Sequence, residues 1–166
     1  TRWAAAADLF YAQHGHFVQA AALFGHQLFE MSAAEVKATD PSHRLLLTTV
    51  LAAATRAGQT KHTLLGSTTA MLLGICNMAD WQQLRRDAES PTGVFSAHGS
   101  DGGAAAGRVS YLFGLKGPCF SVNTACSSSM VALDSASQAL RLGRCTRAVV
   151  AAVNLQLHPA AWAGVC

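Results

Sequence analysis

Residues 121–136 read SVNTACSSSMVALDSA, and the fold turns on how Cys126 sits within them. On the N-terminal side, CFSVNTA (119–125) alternates Phe120, Val122 and Thr124, a strand pattern of period two. On the C-terminal side, Met130, Val131, Leu133, Leu140 and Leu142 form a helical stripe that stops at Gly143. TRAVVAAVN (146–154) follows as another buried strand. Strand, helix, strand over 119–154 predicts a βαβ unit, which requires a parallel sheet and a right-handed crossover. Cys126 then lies at the hand-over from strand to helix. Free backbone N–H groups and the helix dipole favour an anion at such a place, so a thiol there can serve as a nucleophile. The same N–H groups can hold the oxyanion of a tetrahedral intermediate. The small neighbours Ala125, Ser127, Ser128 and Ser129 permit a sharp nucleophile elbow. A structural thiol buried in a tight turn fits the same pattern. The local pattern leaves both readings open.

Working outward, DPSHRLLLTTVLAAATRAG (40–58) is a helix with Asp40 as N-cap, Pro41 in the first turn and Gly58 as stop. Ser32 caps a short helix, SAAEVKA, with Glu35 in capping-box position. STTAMLLGI (67–75) is β-prone and apolar throughout, the pattern of a buried strand. MADWQQLRRDA (78–88) reads as a helix ended before Ser90-Pro91. SAHGSDGGAAAGRVSYLFG (96–114) is rich in small residues at first and then amphipathic, which predicts a helix over 102–113 with Gly114 beyond it. Its glycines and alanines allow close packing against a neighbour.

The 166 residues suffice for one domain with a sizeable core. Only 13% are charged while 51% are hydrophobic; about 25% charged is usual. Some apolar surface is therefore expected to be covered by a partner or by further chain. A net charge of +3, with Arg85-Arg86 and Arg141 to Arg147 as short clusters, argues against nucleic acid as a partner. The N-terminal TRWAAAADLFYAQHGHF has no continuous apolar core of the signal-peptide kind, and no apolar run approaches the ~20 residues of a membrane span. Five cysteines, 76, 119, 126, 145 and 166, are irregularly spaced without Cys-x-x-Cys, which points to a reducing intracellular compartment, cytoplasmic or organellar.

The histidines offer less. His14 and His16 make a His-x-His pair with no acidic or cysteine cluster to complete a metal site. His43 sits in the first turn of the Asp40 helix and reads as structural. His98, in AHGSDGG, stands beside what looks like a Gly-rich loop, but neither Gly-x-Gly-x-x-Gly nor a following Lys-Ser/Thr is present, so no phosphate site is expected. His26, His62 and His158 carry no local signal. Cys76, Cys119, Cys145 and Cys166 read as core or surface fillers.

Several stretches together resemble the β-ketoacyl synthases of polyketide and fatty-acid synthesis. VNTACSSSMVAL is similar to the motif V-D-T-A-C-S-S-S-L-V-A. DPSHRLLL is similar to D-P-Q-Q-R-L-L-L, AAGRVSYLFGLKGP to A-A-G-R-I-S-Y-x-x-G-L-R-G-P, and VVAAVNLQLHP to A-x-A-G-G-V-N-L-x-L-S-P. RW, HGHF and LLGSTTA fall in the expected order. The resemblance covers nearly the whole chain and favours the nucleophile reading of Cys126. It implies an α/β, thiolase-like fold of which residues 1–166 form a partial N-terminal half, rich in βαβ units and incomplete at both ends. It implies a homodimer whose substrates arrive on the phosphopantetheine of an acyl carrier protein, with no other cofactor and no metal.

On this resemblance Cys126 is the catalytic nucleophile. It takes an acyl group from a carrier thioester, and the carbanion from decarboxylated malonyl carrier protein then attacks the acyl-cysteine. The family's two catalytic histidines, in H-G-T-G-T and G-H motifs, are expected beyond Cys166, and its first strand before Thr1. A chain without them is not expected to complete condensation. AHGSDGG aligns upstream of the cysteine, so no catalytic role passes to His98. Asn123 stands where the motif has Asp, and Ala70 and Ala152 where it has Gly. These departures keep an alternative in view, a decayed ketosynthase serving as a structural or dimerisation module, although such subunits often lose the cysteine. A thiolase or chalcone-type synthase fits TACSSSMVAL poorly.

Overall fold

The computed structural model describes residues 11, 14–19, 21–76, 79–89 and 93–163. The expectations for RW and for Cys166 fall outside them. A 3-10 turn (His26–Phe29) leads into α1 (Ala33–Ala38), α2 (Pro41–Arg56) and the short α3 (Lys61–Leu64). Then come β1 (Thr69–Ile75), α4 (Ala79–Asp87), α5 (Val94–Ser100), α6 (Gly102–Phe113) and β2 (Cys119–Val122). A second 3-10 turn (Ala125–Ser127) opens α7 (Ser128–Arg141), followed by β3 (Arg147–Val153) and α8 (Pro159–Ala163).

The expected caps form. Ser32 Oγ accepts from the Glu35 N–H at 3.1 Å, and Asp40 Oδ1 accepts from the Ser42 N–H at 2.6 Å with Pro41 opening α2. Each bond satisfies an amide that the helix cannot reach. Glu35 turns away from the capping-box return. Its carboxylate instead takes Arg108 at 2.5 Å, an ion pair that ties α1 to α6.

The three strands are all parallel in the order β2-β1-β3. β1 is buried at all seven positions, as its unbroken apolar run requires of a strand covered on both faces. Met71, Leu73 and Ile75 pack with Leu46, Leu47 and Val50 of α2 and with α6. Ala70 and Leu72, of opposite parity, pack against Ala132, Ala136 and Ala139 of α7. The result is a three-layer α-β-α arrangement. The 119–154 unit forms as expected, with one difference: its two strands are not neighbours. β1 lies between them and alone is buried at every position, whereas Cys119 and Phe120 of β2 are exposed and β3, expected to be buried, is only half-buried.

A further difference concerns AHGSDGG. It is not a loop: Val94–Ser100 is helical, and Asp101 caps α6 through a 2.9 Å bond from the Gly103 N–H. Gly and Ser weigh against a helix locally, but here the backbone must come close. A Cβ on Gly99 would stand 2.5 Å from Ala38 O, and Gly99 O accepts the Asp40 N–H at 2.7 Å. Tertiary contact overrides propensity.

Candidate active site

The strand leading to Cys126 ends at Val122, three residues earlier than the alternation suggested, and the chain then turns sharply. Ala125 has φ +54°, the left-handed region that costs an L-residue roughly 1–2 kcal/mol. Side-chain hydrogen bonds hold the turn. Asn123 Oδ1 accepts from the Ala125 N–H at 3.1 Å. Ser128 Oγ accepts from the Thr124 N–H at 2.9 Å and donates to Ala125 O at 2.7 Å. Ser127 Oγ donates to Thr124 O at 2.8 Å. These bonds leave the Cys126 N–H outside the closure of the turn. Asn123 uses its carbonyl oxygen, which an aspartate also has, so the Asn-for-Asp departure preserves this contact.

Below the elbow lies Gly74 of β1. A Cβ there would meet Ser128 C at 2.7 Å, Ser129 N at 2.8 Å and Ser128 O at 2.9 Å. The first turn of α7 thus rests directly on strand backbone. Cys126 is exposed, one residue beyond the strained Ala125 and two before the buried Ser128. Its thiol stands at the C-terminal edge of the parallel sheet, where connections diverge to either side of β1 and where ligands of open α/β sheets bind.

The other cysteines and histidines form no part of the hydrogen bonds that hold this turn. Cys145 is buried against α7, Cys76 half-buried, and Cys119 exposed on β2, its thiol pushed up by desolvation despite a bond to Ser110. His98 rides on α5, and His14 and His16 are exposed. Among the described residues, no group of three or more His, Cys, Asp or Glu could hold a metal ion, and no helix is long and apolar enough to cross a membrane.

His43 is structural in a costly way. It is fully buried, both ring nitrogens lack a hydrogen-bond partner, and desolvation followed by the nearby Arg108 charge lowers its pKa to about 4, with Asp101 opposing. Next to it burial raises the Asp40 carboxyl, although the Ser42 bonds oppose this.

Sequence reasoning missed the serine hydroxyls that build the elbow. It also missed Asp80, a buried carboxylate accepting from the Leu157 and His158 amides. The three consecutive serines were a visible signal for the first; nothing local signals the second, whose partners lie more than seventy residues away.

Comparison with known proteins agrees with this geometry. The family described as "Beta-ketoacyl synthase, N-terminal domain" matches residues 3–166. The chain is 41% identical over 154 residues to polyketide synthase GfsB of Streptomyces halstedii, covering 92% of this chain and 3% of that protein. It is 43% identical over 136 residues to cyclo-acetoacetyl-L-tryptophan synthase of Aspergillus oryzae, covering 82% of this chain and 4% of that protein. Among solved structures, the oxazolomycin ketosynthase domain OzmH KS7 of Streptomyces albus JA3453 superposes with a TM-score of 0.82 at 33% identity, covering 93% of this chain and 27% of that one. A ketosynthase from module 6 of the bacillaene synthase of Bacillus subtilis 168 gives 0.79 at 29% identity, with 90% and 25% covered. The chain thus spans a few per cent of these curated relatives and about a quarter of the solved domains.

Proposed function

The chain belongs to the β-ketoacyl synthase family, and from that premise we propose that residues 1–166 are the nucleophile-bearing part of a polyketide-type ketosynthase in which Cys126 carries the growing acyl chain. The observation that carries this reading is an exposed cysteine on a strained elbow at the C-terminal edge of a parallel sheet.

In the acylation step the Cys126 sulfur attacks the carbonyl of an acyl thioester on the phosphopantetheine of an acyl carrier protein. A new carbon–sulfur bond forms, the old one breaks, and the carrier thiol leaves with the proton that Cys126 gave up. The Cys126 N–H, outside the closure of the turn, is the donor we assign to the oxyanion. In the second step the bond to the malonyl carboxylate breaks with loss of carbon dioxide, the carbanion forms a carbon–carbon bond to the acyl carbonyl, the Cys126 sulfur–carbon bond breaks to free the thiolate, and the chain, longer by two carbons, stays on the carrier protein. The histidines that assist decarboxylation are assigned to a further part of a longer polypeptide. Support for such a continuation comes from the apolar residues left uncovered on α7 and β2, among them Met130, Leu133, Leu140 and Phe120. A second half of the domain and a second subunit are the coverings we assign to these faces.

The test is acyl transfer from a short acyl N-acetylcysteamine thioester, read by intact mass and peptide mapping. One acyl group on Cys126, absent in Cys126→Ala, is the expected result. Acylation spread evenly over the cysteines, or none at all in a chain that is folded, refutes the reading.

A further inference from the structure

We propose that Asp80 is a positioning residue, which fixes the segment leaving β3 as one wall of the cleft in front of Cys126. The proposal rests on the acyl-transfer reading above. Asp80 opens α4 and is 5% exposed. Its Oδ2 accepts from the Leu157 N–H at 2.9 Å and from the His158 N–H at 3.3 Å. Both amides lie in the connection between β3 and α8. A carboxylate aimed at two consecutive backbone N–H groups is a charge-assisted clamp, stronger than neutral bonds.

The far end of α4 holds the same segment a second time. His158 Nδ1 accepts from the Ala160 N–H at 3.1 Å, which places the ring proton on Nε2. Nε2 then donates to Asp87 Oδ2 at 2.9 Å. Asp87 is correspondingly lowered by its bonds to Gln83 and His158. One helix therefore grips residues 157 and 158 with a carboxylate at each end.

Strand register says what the grip positions. Val153, the last residue of β3, pairs with Ile75, and the elbow rests on Gly74, one residue back along β1. Parallel neighbours lie about 4.8 Å apart, so the clamped segment leaves the sheet one strand from the base of the elbow. Cys126 stands on the α7 side of β1, whereas α4 reaches the other layer, where Trp81 Nε1 donates to Ala38 O at 3.0 Å. The clamped segment and the elbow thus flank the end of β1, and an acyl thioester approaching Cys126 comes in between them. Loosening one flank misplaces the substrate and leaves the sulfur as reactive as before.

The experiment compares wild type with Asp80→Ala and Asp80→Asn in the full chain. Three quantities are read: Cys126 acylation by an acyl N-acetylcysteamine thioester, Cys126 alkylation by iodoacetamide, and amide exchange at Leu157 and His158. Asp80→Ala is expected to speed exchange at those amides and slow acylation by about tenfold, the scale of one lost charged hydrogen bond, while alkylation stays unchanged. Asp80→Asn, which keeps an acceptor oxygen, is expected to restore acylation and protection. A folded Asp80→Ala with wild-type acylation overturns the proposal, as does a parallel fall in alkylation or an Asp80→Asn that behaves like Asp80→Ala. Should Asp80→Ala not fold, Asp80→Ser, whose shorter side chain cannot reach the two amides, takes its place, and wild-type acylation in the folded Asp80→Ser protein overturns the proposal equally. A wild type that no thioester acylates counts against the acyl-transfer reading instead, and exchange at Leu157 and His158 then decides the clamp by itself.

Discussion

Replacing Gly74 by alanine tests the elbow with a single methyl group. The added Cβ would lie 2.7, 2.8 and 2.9 Å from Ser128 C, Ser129 N and Ser128 O, where ordinary contact begins at 3.4 Å. The first turn of α7 must therefore retreat by 0.5 to 0.7 Å (3.4 less 2.9 and 2.7). All three atoms are backbone, so no side chain can rotate out of the way. Overpacking of this kind costs roughly 1–3 kcal/mol. The larger effect falls on chemistry, because the retreating turn carries Cys126 with it, and a displacement of about 1 Å at a reacting group costs on the order of 100-fold in rate. Gly74→Ala is expected to lower unfolding stability by about 2 kcal/mol and acyl transfer to Cys126 by roughly 10- to 100-fold. Gly107→Ala is the control: nothing lies within 4 Å of its Cβ, and alanine within α6 is expected to add about 0.5–1 kcal/mol. Denaturant unfolding and thioester acylation measure both. Wild-type stability and acylation in Gly74→Ala would refute the claim that α7 seats on the strand.

Acid sensitivity is expected from His43. Its pKa falls from 6.5 to about 4 on folding, so the unfolded chain binds the proton first. Stability is complete above pH 6.5 and drains as pH falls to about 4, by roughly 3 kcal/mol at about 1.4 kcal/mol per pH unit. In His43→Gln this dependence disappears, and comparing the two variants cancels the opposing contribution of Asp40, whose raised pKa favours the folded state as acid is added. A pH series of unfolding midpoints with equal slopes in both proteins contradicts the assignment. At the elbow, Ser128→Ala removes one bond accepted and one donated by a buried hydroxyl, with an expected loss of about 1–3 kcal/mol. Asn123→Asp keeps the acceptor for the Ala125 N–H and is expected to stay within about 0.5 kcal/mol of wild type; a larger change in either direction means the turn depends on the amide N–H₂.

The readable parts of the fold were those set by local chemistry. Asp40 and Pro41 announce the start of α2, the apolar run of β1 announces burial on both faces, and the small residues around Cys126 announce a turn between strand and helix. Strand order was not readable, because the central place goes to the strand buried on both faces, and β3 (Arg147–Val153) is as continuously apolar along the chain as β1. The helix Val94–Ser100 was hidden because glycine and serine oppose a helix locally, whereas contact with Ala38 requires the glycine. At the site, the position of Cys126 was visible. The left-handed Ala125, the Ser128 bonds and the support from Gly74 were not, since each depends on where backbone atoms meet in space.

The pairing of β1 bears on when this protein can fold. Its partners begin 48 residues later for β2 (Met71 with Cys119) and 78 residues later for β3 (Thr69 with Arg147). Closing such loops precedes any reward from the contacts they bring, which slows folding. At a synthesis rate of roughly 5–20 residues per second, β1 waits about 4–16 s for its last partner. During that interval a strand whose seven residues all end up buried has no complete place to go. The elbow is in the same position, because α7 seats on β1 and only β3 completes the sheet beneath it. The Cys126 elbow therefore takes shape on the ribosome only after β3 has emerged, and the ribosome-bound intermediate is where aggregation has its opening.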